Sequence, residues 1–194
     1  MISLFALFWI SIVLFATIGA IRGWSKEVIA MAGLVLSLFA INTFGHLAVR
    51  FIGGVGSGAN EADFMQEMQR QFMVLGGIHI LVAFFSYQGV ALVRSRITPR
   101  ESIQERLLGF IFGALNGYLI VGTMWSLLEY KITPDGWLRL PQNFPYAFEQ
   151  FVIRPVIQNP SQEFLLTHLP IPFLIPFLPL LVVLIFLFVI IVIL

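Results

Sequence analysis

Cysteine is absent from the 194 residues. Disulfides and thiolate metal sites are thereby excluded, and with them any reading of the redox compartment. Charge is scarce: 11% of the residues are Asp, Glu, Lys or Arg, against about 25% in an ordinary soluble domain. Basic residues outnumber acidic ones by so little that the formal net charge is +1. That argues against a nucleic-acid binder, which carries a basic face or tail. What fills the space is apolar. The hydrophobic share is 59%, with 20 Phe, and the mean hydropathy is +0.94. One soluble core of this size cannot bury that excess and still leave a polar surface. Lipid is the solvent that accepts it.

A membrane-crossing helix needs about 20 mainly apolar residues. Residues 2–21, 28–45, 73–93 and 107–128 meet that requirement. A fifth apolar stretch, 170–194, carries no charged side chain. Started near Pro172 it is long enough to cross, with Pro176 and Pro179 kinking its first turns. A tail lying partly in the bilayer is the alternative. Residues 1–21 lack the basic leading region and small-residue cleavage site of a signal peptide, and read as an uncleaved membrane segment. The expected fold is thus an all-α integral membrane protein. It has four transmembrane helices in two hairpins, a kinked fifth C-terminal apolar helix, and short interfacial helices. Its expected domains are a four-helix unit over 1–130, an extracytoplasmic, interfacial amphipathic segment over 131–169, and the apolar helix over 170–194.

Orientation follows the Lys and Arg content of short loops. Arg22 and Lys26 lie in the first loop, and Arg94, Arg96, Arg100 and Arg106 in the third. Arg50, Arg70, Lys131, Arg139 and Arg154 are spread over longer stretches diluted by acids. The dense clusters are expected on the cytoplasmic side of a bacterial inner membrane, with the N-terminus outside. In "GAIRGWSKE", Gly19 and Gly23 are expected to bracket a surface turn. Arg22 and Lys26 would sit among anionic headgroups, and Arg94, Arg96, Arg100 and Arg106 likewise. Trp24 suits the interfacial belt. Glu27 has two expected uses: pairing with Arg22 or Lys26, or favouring the positive end of the second helix.

Two blocks carry a family resemblance: "RGWSKEVIAMAGLVLSLFAI" from Arg22 and "ERLLGFIFGALNGYLIVG" from Glu105. With "NPSQEFLLTHLP" after them, the chain resembles the colicin V production protein family, small bacterial inner-membrane proteins, over roughly residues 1–170. The family pattern is Arg-Gly and a basic-acidic pair before one span, an acid-Arg pair before a glycine-spaced helix, and a short serine-proline region. Members usually have four spans and end soon after that region, so the tail is a departure. The resemblance implies a link to colicin V production or export and no established chemistry.

Gly109, Gly113 and Gly117 recur at four-residue intervals and line one helix face, which lets a neighbouring backbone approach closely. An intramolecular contact is favoured over a homodimer face. Asn116 beside them needs a partner in hydrocarbon. Thr98, Pro99 and Glu101 read as the capped start of that helix. Asn60 is a candidate cap for a helix whose Phe64, Met68 and Phe72 form a stripe suited to the membrane surface or a partner. Residues 145–170 read as a second surface segment broken at Pro155 and Pro160, with Phe148, Phe151 and Val152 in the bilayer and Glu149 and Arg154 wet.

His46, His79 and His168 lack helix-spaced companions, so no metal site is expected. His79 lies mid-span, where an ionisable group raises a functional question; a bond to a carbonyl or to Ser86 is the simpler reading. No nucleophile motif, phosphate loop or cofactor site is visible. The favoured function is a non-enzymatic scaffold or accessory subunit, partnered by membrane proteins or by itself. The alternative is a component of an export pathway using polar groups inside the bilayer: Ser37, Asn42, His79, Ser86, Tyr87, Gln88, Asn116 and Thr123.

Overall fold

The computed structural model describes residues 3–53, 61–92 and 103–193. Helix α1 (Leu4–Arg22) ends at Gly23, whose φ of 87° lies in the left-handed region. That region suits glycine, and one residue suffices to turn the chain into α2 (Trp24–Gly53). Gly23 alone makes the turn; Gly19 is inside α1, bonded to Gly23 N–H at 2.9 Å. Helix α3 (Glu61–Leu92) runs back antiparallel to α2. Helix α4 (Ile103–Gly117) passes through a π turn (Tyr118–Gly122) into α5 (Thr123–Glu129). Among the described residues, five helices are long and apolar enough to cross a membrane: Leu4–Arg22, Trp24–Ile52, Asp63–Gln88, Ile103–Glu129 and Pro170–Phe188.

The all-α expectation misses one element. Strands β1 (Tyr130–Thr133) and β2 (Gly136–Arg139) form an antiparallel hairpin in which Tyr130 faces Arg139. Its turn, Thr133-Pro134-Asp135-Gly136, places Gly136 at φ 131°, and Pro-Asp-Gly is a turn signature with a known mechanism. Residues 140–159 continue without regular helix or strand. Helix α6 (Pro160–Thr167) then begins where the break at Pro160 was expected, Asn159 capping it by accepting from Gln162 N–H at 3.0 Å. Hairpin, irregular segment and α6 form a cap over one end of the helix bundle.

The C-terminal apolar run opens as α7 (Pro170–Leu174), tightens into a 3-10 turn (Ile175–Phe177) and continues as α8 (Leu178–Ile193). Pro170 and Pro172 fall in the first turn, where a missing N–H is harmless. Pro176 lies inside the 3-10 turn, a kink with an identifiable cause.

The core binds these pieces together. Leu34, Leu38, Leu75, Leu119, Leu127, Ile171 and Leu178 share one buried cluster. Phe8, Trp125, Tyr146, Leu166 and Leu169 form a second under the cap. Residues 61–72 do not form a separate surface helix; they are the first turns of α3. Their stripe faces inward, with Met68 packed on Leu140 and Ala147 and Phe72 edge-on to Phe148 at 5.2 Å. The expected caps Asn60, Thr98, Pro99 and Glu101 lie outside the described residues, as do Arg94, Arg96 and Arg100.

Candidate functional site

The glycine stripe of α4 lies against α1, the most extensive helix pair in the molecule. A Cβ at Gly113 would stand 2.9 Å from Gly19 Cα and 3.1 Å from Ala16 Cα. At Gly117 it would stand 2.8 Å from Phe15 Cβ, and at Gly109 it would strike the Gly19 carbonyl. Backbone meets backbone here, the close approach that small residues permit in lipid.

That approach brings a buried carboxylate into reach of three helices. Glu27, in the first turn of α2, is wholly buried. Arg22 Nη1 donates to its Oε1 at 2.8 Å, while Tyr87 OH and Asn116 Nδ2 donate to Oε2 at 3.0 and 2.7 Å. Asn116 also donates to the Glu27 carbonyl at 3.0 Å. Arg22 reaches the Tyr87 carbonyl at 3.2 Å and lies over the Tyr87 ring, 4.3 Å from its centre. A buried charge is tolerated when it is paired and further hydrogen bonds support it; Arg22 supplies the pairing and Tyr87 and Asn116 the further bonds. Arg22 is therefore turned inward, with 21% of its side chain exposed. Lys26 is half-buried, and Arg106 lines a cavity of about 530 Å3 with Arg22, Thr17 and Glu105.

Deeper in the bundle His79 is fully buried between Ser37 Oγ, 3.0 Å from Nδ1, and the Leu119 carbonyl, 3.2 Å from Nε2. A carbonyl only accepts, so Nε2 carries the proton and Nδ1 accepts from the serine hydroxyl. Leu119 belongs to the π turn, an irregularity that re-aims backbone groups. Ser86 has a different neighbour: it packs on Gly33, where a Cβ would come within 2.9 Å of its own. The polar groups 37, 42, 79, 86, 87, 116 and 123 thus do not meet at one point. Asn42, for instance, accepts from Trp137 Nε1 of the hairpin at 3.0 Å. Among the described residues, Asn116 Oδ1 and Thr123 Oγ1 have no hydrogen-bond partner.

A second carboxylate holds the cap. Glu129, the last residue of α5, is wholly buried. Its Oε1 accepts from Arg139 Nε at 3.0 Å and Arg154 Nη2 at 2.7 Å; its Oε2 accepts from Tyr146 OH at 2.8 Å. Tyr146 in turn accepts from Trp125 Nε1 at 2.9 Å. Arg154 also donates to the carbonyls of Pro141, Phe144 and Leu140, so it stitches the irregular segment instead of lying in water as expected. Only 9% of its side chain is exposed. Arg139 forks onto both oxygens of Glu163 in α6. Gln71 of α3 supplies a further clasp, donating to Tyr130 O at 2.7 Å and accepting from Ile132 N–H at 2.8 Å.

These contacts set the proton affinities. The bond from Arg139 holds the Glu163 carboxyl below its usual range, and the same bond, with Glu129 adding to it, pushes Arg139 up. Burial first, then the neighbouring Glu129 charge, pushes the Tyr146 hydroxyl up. The grouping of Arg139, Tyr146 and Arg154 around Glu129 escaped sequence reasoning, which left Arg154 in water, because these partners are 10 to 25 positions away from Glu129 along an irregular chain. The sole local signal was Glu129 itself, an acid ending an apolar run. His46, His79 and His168 remain apart, and among the described residues no three His, Asp or Glu side chains converge as a metal site. His168 stacks on Phe164 at 3.8 Å.

Apolar helices of crossing length, an internal glycine seam and a few buried polar groups, most of them paired, define a helical membrane protein. Its residues 6–159 match the model of the family described as Colicin V production protein, and the chain belongs to that family. No curated protein and no solved structure matches it significantly. The match ends at Asn159, the cap of α6, so α6, α7 and α8 lie beyond it.

Proposed function

We propose that the chain is a non-enzymatic structural subunit of a larger assembly in the bacterial inner membrane. Its N-terminus and cap face outward, and the Arg22 end faces the cytoplasm. The observation that carries this reading is how its buried charge is used. Glu27 ties α2 to α1, α3 and α4, and Glu129 ties the cap to the bundle. Carboxylates whose oxygens are all engaged in this way act as struts, since a general acid or base needs an open side facing a reactant. The cap meanwhile displays Phe151 and Val156, 79% and 78% exposed. Large apolar side chains exposed on the cap suit a protein partner. The family's description, Colicin V production protein, supports a link between such a subunit and colicin V production.

The test is the mass of the particle extracted directly from its native membrane in polymer-bounded discs. The wild-type chain runs in a complex of defined stoichiometry. The double substitution Phe151→Asp, Val156→Asp releases it as a monomer with unchanged thermal stability. A wild-type chain extracted as a lone monomer overturns the reading.

A role in export is the second reading, favoured by the unpartnered Asn116 Oδ1 and Thr123 Oγ1 deep in the bundle. Solute movement into liposomes that Asn116→Leu abolishes would select it over the structural role.

A further inference from the structure

Along one flank, α2, α4 and the α7–α8 unit enclose a groove of about 510 Å3. Trp24, Val28 and Val35 line it from α2, Leu115 from α4, and Leu184 and Phe188 from α8. Apart from the Trp24 indole, the wall offers no hydrogen-bonding side chain: Tyr118 presents its ring, while its hydroxyl donates to the His168 carbonyl at 2.6 Å.

Three properties select the occupant. The wall chemistry excludes an extended peptide, whose N–H and C=O groups would be left unpaired in hydrocarbon at several kcal/mol each. Length excludes a spanning helix. Trp24 to Val35 is about 16 Å of α2, whereas a partner's transmembrane helix needs ~30 Å of matching wall. A flexible hydrocarbon chain fits both limits. Depth completes the argument, because about 16 Å is close to half of a ~30 Å hydrocarbon core, the reach of one leaflet. The mouth carries Trp24, an amphipathic ring suited to headgroup level, beside the turn that bears Arg22 and Lys26. The deep end is closed by Leu119 and by Phe173 and Leu174 of α7.

We infer that this groove holds one acyl chain of a phospholipid from the leaflet on the Trp24 side, and that this chain completes the seat of α8. Protein contact secures the start of that helix, where Leu178 is buried; two turns later Leu184 is 52% exposed. The lipid bridges the interval between α8 and the α2–α4 wall. The inference is independent of the structural-subunit reading.

The full chain, purified in dodecyl maltoside, is weighed intact by native mass spectrometry and its bound lipid extracted. The wild type keeps one phospholipid. Ala32→Phe, whose ring occupies the groove, keeps at least tenfold less, and exhaustive delipidation lowers the melting temperature of the wild type but not of this variant. A second measurement does not depend on that substitution. Phosphatidylcholine with brominated chains, titrated into delipidated protein, quenches tryptophan emission and saturates at one lipid per chain, and the quenched component disappears in Trp24→Phe. No retained lipid together with no saturable quenching overturns the proposal, as does full lipid retention by Ala32→Phe.

Discussion

At the scale of single residues, the arginine in the first turn between helices does a different task from the one its position suggests. Loop arginines of membrane proteins sit among phosphates, but Arg22 points at Glu27 and Tyr87. Removing one partner of a buried ion pair leaves the other uncompensated, a loss of roughly 3–5 kcal/mol. Arg22→Ala is expected to fall near the low end, about 3 kcal/mol, because Arg22 keeps part of its surface exposed. A double-mutant cycle with Glu27→Gln, read by thermal unfolding in detergent, checks this; additive losses would show that the two groups do not interact. Asn116→Leu removes one donor from the same carboxylate and is expected to cost about 1–3 kcal/mol. At Gly113 the argument is steric. Gly113→Leu places a branched side chain where Gly19 Cα already stands 2.9 Å from an added Cβ. Overpacking of that kind costs about 1–3 kcal/mol, to be read as a lowered midpoint of thermal unfolding in detergent; an unchanged midpoint would show that the seam tolerates the side chain.

At the scale of elements, the cap is a set of weak pieces. A hairpin of two four-residue strands does not persist alone in water, nor does an eight-residue helix. What fixes them is Glu129 with its two arginines, and Arg139 passes the connection on to α6 through Glu163. Glu163 has its folded proton affinity depressed, so its contribution is present above the unfolded carboxylate value of about 4.3. It is lost as pH falls through the lower folded value. Proteolysis within residues 140–167 should therefore accelerate below about pH 4, and Glu163→Gln should flatten that dependence. An unchanged acid profile in the variant would remove Arg139–Glu163 as the acid-sensitive tie. The hairpin itself was half legible. Pro134-Asp135-Gly136 marks a turn, but strands this short carry too little alternation to register.

At the scale of the whole molecule, α1 and α4 run antiparallel, as do α2 and α3, so the cap and the α1–α2 turn lie at opposite ends. The lack of cysteine makes the arrangement simple to probe. Single cysteines at Ser3 and Asp135 are expected to react with an impermeant maleimide added outside intact cells, and one at Lys26 only after the membrane is opened. Labelling of Lys26→Cys from outside would invert the assigned orientation.

Composition alone determined the medium, because no folded surface of this size can dissolve so much hydrocarbon in water. Run length then determined the apolar helices, since a bilayer demands about 20 such residues wherever a chain crosses it. The glycine spacing determined which face of α4 permits close approach. Tertiary structure decided the rest: that α1 fills that face, that Arg22 turns inward, and that Arg154 reaches Glu129. Pairings of that kind depend on where a distant backbone arrives, and local pattern carries no record of it.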